Sequence, residues 1–237
     1  MHETRLLCLA VSRREGGNCI AGIDIDSKKW IRPINSRTRA AFADADLVVR
    51  DPVSGELRFM APLDLIAMNL ESYAGTNSQP ENWIVAPASR ENPYAVLRRC
   101  EFPKTTRFLR AHSDRSDRLL HGPGDSVQES EFATEMLSHS LSLVAPREVA
   151  WRVSPNLKYS SRFQVRAYFR FGNFDYNLVV TDPVWEAKCC RLGLGMHTHA
   201  EVAGMQGGAV FLSISLAAVA FHGLHYKLVA GVMHLPG

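Results

Sequence analysis

The sequence predicts a mainly β protein with some helix, built as two small barrel-like units joined by a short helical connector. Three observations predict it. Residues 5–34 read as three strands in a meander, too closely spaced for the crossovers of a parallel sheet. Residues 163–181 alternate apolar and polar positions on both sides of a Gly-Asn pair, the pattern of a half-buried hairpin. Between these regions the alternation gives way to helical spacing.

The first unit covers residues 1–88. Arg5 to Val11 (RLLCLAV) is a near-continuous apolar run, and a polar stretch ending in Gly16-Gly17-Asn18 turns it back into a second strand, Cys19 to Ile25. There Cys19, Ala21, Ile23 and Ile25 alternate with Ile20, Gly22 and Asp24. Asp26 to Lys29 reads as a turn, and Trp30 to Ile34 as a third strand edged by Pro33. Asn35 to Asp51 is less regular; Leu63 to Leu70 then reads as a strand, and Asn82 to Val85 as a short extended piece that closes the unit.

The connector is expected at residues 89–145. Tyr94 to Arg99 and Thr106 to Leu109 read as short helical turns, broken by His121-Gly122-Pro123-Gly124. Ser126 to Leu141 places Val127, Phe132, Met136 and Leu137 at roughly helical spacing with acids early, as a helix N-terminus favours. Residues 146–237 return to strands: Phe163 to Phe171 and Phe174 to Thr181 around Gly172-Asn173, then Val210 to Leu216 and Tyr226 to Met233.

A chain 46% hydrophobic and 22% charged has material for a core, which excludes disorder. The longest apolar stretch, Ala209 to Phe221, is thirteen residues long and interrupted by Ser213 and Ser215. That is short of the ~20 a membrane-spanning helix needs. The apolar run after the N-terminus is too short for a secretory segment. Five cysteines (Cys8, Cys19, Cys100, Cys189, Cys190) have no disulfide-like spacing and read as reduced thiols. The expectation is a cytoplasmic protein with no membrane partner.

The net charge is +3, carried by 21 Arg and 6 Lys against 24 acids. The planar guanidinium fork suits phosphates, base edges and aromatic rings better than an ammonium does. Arginine-rich composition also follows from a GC-rich genome, so the bias permits nucleic-acid binding without requiring it.

The hairpin sharpens this. A turn at Gly172-Asn173 sets Phe171 opposite Phe174, Arg170 opposite Asp175, Phe169 opposite Tyr176, Tyr168 opposite Asn177 and Arg166 opposite Val179. Phe163, Val165, Ala167, Phe169 and Phe171 form the core side. Gln164, Arg166, Tyr168 and Arg170 form the outer side, where cations flank a ring that could stack on a base. An ordinary solvated face with an Arg170–Asp175 pair would look the same. Arg13 and Arg14 beside Gly16-Gly17 make a second basic cluster that could meet a phosphate. Trp30 with Arg32 makes a third candidate, although a Trp opening a strand also fits a core role.

Three segments resemble the dual OB-fold domain family of prokaryotic proteins: LLCLAVSRREGGNCIAGIDID…WIRPI (Leu6 to Ile34), QPENW (Gln79 to Trp83) and YKLVAGVM (Tyr226 to Met233). The resemblance spans nearly the whole chain and implies two OB-type barrels, with single-stranded DNA or RNA as the usual ligand of such barrels. It supplies no catalytic residues.

Enzyme motifs are sparse. There is no Walker A sequence and no nucleophile elbow, and Gly193-Leu194-Gly195 is followed by Thr198 where a dinucleotide fingerprint has its third glycine. Asp24, Asp26 and Asp182 do not pair as acid and base. The enzyme-like alternative is a metal site: His197 and His199, at i and i+2, would share one face of a strand, with Cys189-Cys190 nearby and His222 or His225 as further ligands. The reading is therefore a non-enzymatic, cofactor-free module that binds single-stranded nucleic acid. A metal-dependent enzyme, or an interaction or sensor component with a protein partner, are the alternatives.

Overall fold

The computed structural model describes residues 2–14, 16–99, 104–132, 135–156 and 163–236, the side chains of His2, Arg14 and Arg99 excepted. The expected meander is formed by β1 (His2–Arg14), β2 (Gly17–Asp24) and β3 (Trp30–Asn35). It is joined by β4 (Val48–Arg50), β5 (Leu57–Phe59), β6 (Asp64–Tyr73), β7 (Asn82–Val85) and β8 (Tyr94–Arg99). The eight strands run in the order β1-β2-β3-β7-β6-β8-β4-β5, and an additional β1–β6 pairing closes five of them into a barrel. Closure gives β1 a hydrogen-bonding neighbour on each side and removes the unpaired edge. Strands β3 and β7 are parallel.

After β8 come α1 (Lys104–His112), β9 (Ser126–Gln128), β10 (Leu141–Val144), β11 (Val149–Pro155), β12 (Phe163–Phe171) and β13 (Phe174–Val180). Then come α2 (Pro183–Arg191), β14 (Gly195–Thr198), α3 (His199–Ala203), β15 (Ala209–Leu216) and β16 (Leu224–Leu235). The second sheet runs β10-β15-β16-β13-β12-β11-β14, with β9 added on β16 and β13 parallel to β16. The stretch β11-β12-β13-β16-β15 repeats the order of β1-β2-β3-β7-β6, parallel pair included. The molecule is thus two OB-like barrels in tandem.

Two expected α-helical segments form other structure. Tyr94 to Arg99 is β8, antiparallel to β6, and the stretch from Ser126 contains β9 and a 3-10 turn at Glu129–Phe132, with irregular chain over residues 135–140. Short apolar runs are ambiguous locally, and the open edges of β6 and β16 decide the matter by supplying backbone partners. Thr106 to Leu109 is helical, inside α1. Helix α2 follows Asp182-Pro183: the Asp182 carboxylate caps it, accepting from the N–H groups of Val184 (2.9 Å) and Trp185 (3.0 Å). Its other oxygen accepts from the Val232 N–H at 2.9 Å, which ties α2 to β16. Asp182, considered above as a possible acid, is a buried structural cap whose pKa burial pushes up.

Each barrel has its own core, one around Leu6, Phe42 and Ile66, the other around Trp151, Leu178 and Ile214. A third apolar layer lies between them and contains Leu7, Leu9, Ile23, Leu65, Leu143, Phe211 and Met233. Strand β1 therefore buries both faces, Leu6 and Cys8 inward and Leu7 and Leu9 against the other barrel, with a register shift between Cys8 and Ala10. This explains why RLLCLAV is continuous rather than alternating. Strand β16 behaves likewise, with Val229 and Val232 in its own core and Met233 and Leu235 in the shared layer. The two strands meet so closely that a Cβ on Gly231 would sit 2.2 Å from the Leu9 carbonyl oxygen. The most distinctive segments of the sequence are these doubly buried strands.

Candidate nucleic-acid interface

The hairpin forms in the expected register: Arg166 opposite Val179, Tyr168 opposite Asn177, Phe169 opposite Tyr176, Arg170 opposite Asp175 and Phe171 opposite Phe174. Gly172 takes φ +55°, and a Cβ there would strike the Asp117 carbonyl at 2.2 Å, so only glycine fits the turn. Val165, Ala167 and Phe169 are buried, while Arg166 and Tyr168 are half-buried and Arg170 is exposed.

Strand β11 extends this outer face. Its Val149, Trp151 and Val153 point into the core, and its Ala150, Arg152 and Ser154 point out beside Tyr168, Arg166 and Gln164. Arg152 therefore stands directly across from Arg166, with Met196 of β14 on its other side. The Arg166 guanidinium lies against β13, donating to Asn177 Oδ1 at 2.7 Å and to the Asn177 carbonyl at 2.5 Å. Asp125 is 3.6 Å away. The backbone N–H of Lys227 donates to the Asp125 carbonyl at 2.7 Å. Fully buried, Lys227 Nζ donates to the carbonyls of Gly122 (2.6 Å) and Gly124 (2.8 Å) and lies 5.6 Å from the centre of the Tyr176 ring. Burial lowers the Lys227 pKa to about 8.

Tyr168 and Arg170 open onto a groove of about 890 Å3 at the end of the second barrel, which Arg147, Glu148 and Asp175 also line. Its inner wall includes His199. That ring stacks on Trp185 (centroids 5.1 Å, planes 15° apart) and meets His234 edge-on at 4.9 Å. Burial depresses the His199 pKa to about 4, so the ring is neutral at pH 7. Both of its nitrogens, and Nε1 of Trp151 and Trp185, are buried with no hydrogen-bond partner among the described residues.

The remaining sequence candidates lie elsewhere. Arg13 is exposed at the end of β1, its backbone N–H bonded to the Thr181 carbonyl at 2.8 Å across the seam between the barrels. The side chain of Arg14 lies outside the described residues. Trp30 packs into the apolar layer between the barrels and borders a cleft of about 470 Å3 with His112, Asp114 and His139. Arg32 is a correction: it is 3% exposed and reaches no surface. Its guanidinium donates to Ser140 Oγ (3.0 Å), Ser215 Oγ (3.1 Å) and Asn82 Oδ1 (3.4 Å), and it stands 3.8 Å from Glu81. The aliphatic pattern around WIRPI conceals this, because a partner 108 residues away supplies the hydroxyl.

The described residues do not bring the metal candidates together. His197 lies on β14 with Nε2 2.9 Å from the Gly193 carbonyl, whereas His199 opens α3. A capping box at Thr198 and Glu201 ends the strand between them, so the two rings do not share a strand face. Cys189 is buried on α2, and His225 is buried with Nδ1 2.7 Å from the Ala217 carbonyl. Among the described residues no three His, Cys, Asp or Glu side chains gather as a ligand set.

A family model described as the dual OB-containing domain matches residues 4–232. The chain belongs to the dual OB-containing domain family. No curated protein and no solved structure matches it. Membership in the dual OB-containing domain family accounts for the repeated strand order and for the near-complete span of the match. OB-type barrels often bind nucleic acids or proteins. Among the described residues no helix is long and apolar enough to cross a membrane.

Arg152 on this face and Arg147 in the groove lining are cations that the sequence reading did not single out. The signal was present for Arg152: Val149-Ala150-Trp151-Arg152-Val153 alternates as strictly as the hairpin does. For Arg147 there was none, since it precedes the strand and only the closure of the barrel end brings it to Tyr168.

Proposed function

We propose that this protein is a non-enzymatic module that binds single-stranded nucleic acid across the outer face of β11 and β12. One observation carries the reading: two arginines, Arg152 and Arg166, share one rung of this outer face, and the next outward position of β12 is Tyr168 at the mouth of a groove. Phosphates spaced along a strand meet these cations, and a base stacks on the tyrosine ring. Arg170 and Arg147 continue the cationic track along the groove, interleaved with Glu148 and Asp175. The mixed charge favours moderate affinity that depends on stacking as well as on ion pairing.

Fluorescence anisotropy of labelled oligodeoxythymidine and oligouridine tests this. Binding is expected at micromolar protein in ~50 mM salt, weakening steeply as salt rises. Tyr168→Ala is expected to weaken it about 10-fold, within the ~1–3 kcal/mol that stacking on one base contributes. Arg152→Ala should lower the salt slope by about 0.7, the value for one phosphate contact on a single strand. Absence of any shift at micromolar protein overturns the proposal.

A further inference from the structure

The outer face of β11, β12 and β13 continues past Tyr168 to one more rung. Arg170 stands directly across from Asp175, and the register that pairs Val149 with Phe169 brings Glu148 alongside Arg170 from the other side. An arginine is thus flanked by an acidic residue on each side, and opposite charges on one rung ordinarily pair. Here they do not: among the described residues the side chains of Glu148, Arg170 and Asp175 make no hydrogen bond or ion pair, and all three are exposed. They line the same groove as Tyr168, whose volume of about 890 Å3 falls in the range of about 300–1,000 Å3 typical of small-molecule sites.

This rung lies two residues from Tyr168 along β12, a rise of about 6.8 Å. Ala150, the β11 neighbour of Tyr168, contributes only a methyl group beside the ring. A base lying on Tyr168 with its backbone towards Arg152 and Arg166 therefore turns its polar edge to Glu148, Arg170 and Asp175. A carboxylate and a guanidinium side by side call for two adjacent N–H donors and, next to them, two adjacent acceptors. Among the common bases guanine alone has both: N1–H and N2–H on one stretch of its rim, and O6 and N7 on the next, the latter pair matching the arginine fork. Adenine and cytosine offer a single amino group beside a ring-nitrogen acceptor, and uracil a lone N–H between two carbonyls. Each of these turns an acceptor towards the carboxylate.

We propose that the groove selects guanine: the base stacks on Tyr168, Arg170 donates to its O6 and N7, and a flanking carboxylate, Glu148 or Asp175, accepts from its N1–H and N2–H. The inference rests on the single-strand reading of β11 and β12 and gives that reading a base preference.

Fluorescence anisotropy with the full chain in ~50 mM salt tests this, comparing labelled oligouridine with the same oligomer carrying one central G, A or C. The guanine oligomer is expected to bind about 10-fold more tightly than the other three, within the discrimination of one bidentate contact. In the double replacement Glu148→Ala with Asp175→Ala that ratio should fall below about 3-fold, as the bidentate contact is lost. The ratio is read within one variant, so the change in net charge cancels, and the ligand-free melting temperature reports the folding of these two exposed substitutions. Arg152→Ala should weaken all four oligomers and keep the ratio. Binding without a guanine preference, or a preference that survives the double replacement, overturns the inference and leaves the binding face standing. Failure of all four oligomers to bind overturns both.

Discussion

Arg32 and Glu81 lock the two barrels together, and removing the carboxylate is the most direct perturbation of that lock. Glu81 accepts three hydrogen bonds from Ser140 and Leu141 and lies 3.8 Å from the Arg32 guanidinium, with 9% and 4% of the respective side chains exposed. Hydrogen bonds to a charged group contribute about 1.5–3 kcal/mol each, so three at the low end give about 4.5 kcal/mol. Breaking a buried ion pair from one side costs about 3–5 kcal/mol, and the two figures describe overlapping interactions. Glu81→Ala is therefore expected to destabilise by about 4 kcal/mol, and Arg32→Ala by a similar amount. The double replacement Arg32→Ala with Glu81→Ala leaves no unpaired charge and should cost at least 2 kcal/mol less than the two single losses together, about the size of coupling seen between contacting residues. Urea unfolding followed by tryptophan fluorescence measures all of these, and a split of one transition into two in Glu81→Ala would show the barrels separating. A loss under ~1 kcal/mol for Glu81→Ala, or additive single losses in the double replacement, would refute the argument.

Gly231→Ala places a Cβ 2.2 Å from the Leu9 carbonyl oxygen and 2.9 Å from the Ala10 Cα, so backbone must move in both barrels. It is expected to cost roughly 1–3 kcal/mol or more by differential scanning calorimetry, against little change for Gly122→Ala, whose Cβ meets nothing nearer than 3.9 Å. His199 has a folded pKa of about 4 against an ordinary 6.5. Between those values the unfolded chain takes up a proton that the folded chain refuses, so stability is full above pH 6.5 and falls as pH drops towards 4. The difference in stability between pH 7 and pH 4.5 should be smaller in His199→Phe than in the parent, by about 2 kcal/mol once solvent at the groove is allowed for. Equal pH profiles would show that the ring is not held neutral.

What the sequence alone determines here is whatever rests on local periodicity and turn chemistry. The meander of β1 to β3, the Gly172-Asn173 hairpin with every cross-strand partner, and the outward placement of Arg166, Tyr168 and Arg170 all follow from period-2 alternation and a glycine-first turn. The family resemblance was legible as well, because strands buried on both faces leave long apolar signatures. The tertiary structure decided the rest. Arg32 looks like a surface cation beside an aromatic ring until Ser140 and Ser215 arrive from the other barrel, and Tyr94 to Arg99 becomes a strand because β6 has an edge to pair. Arg152 gained its meaning only when it faced Arg166 across the rung. In each case the partner is distant in the chain, and no local pattern encodes which distant group will satisfy a buried charge or an open strand edge.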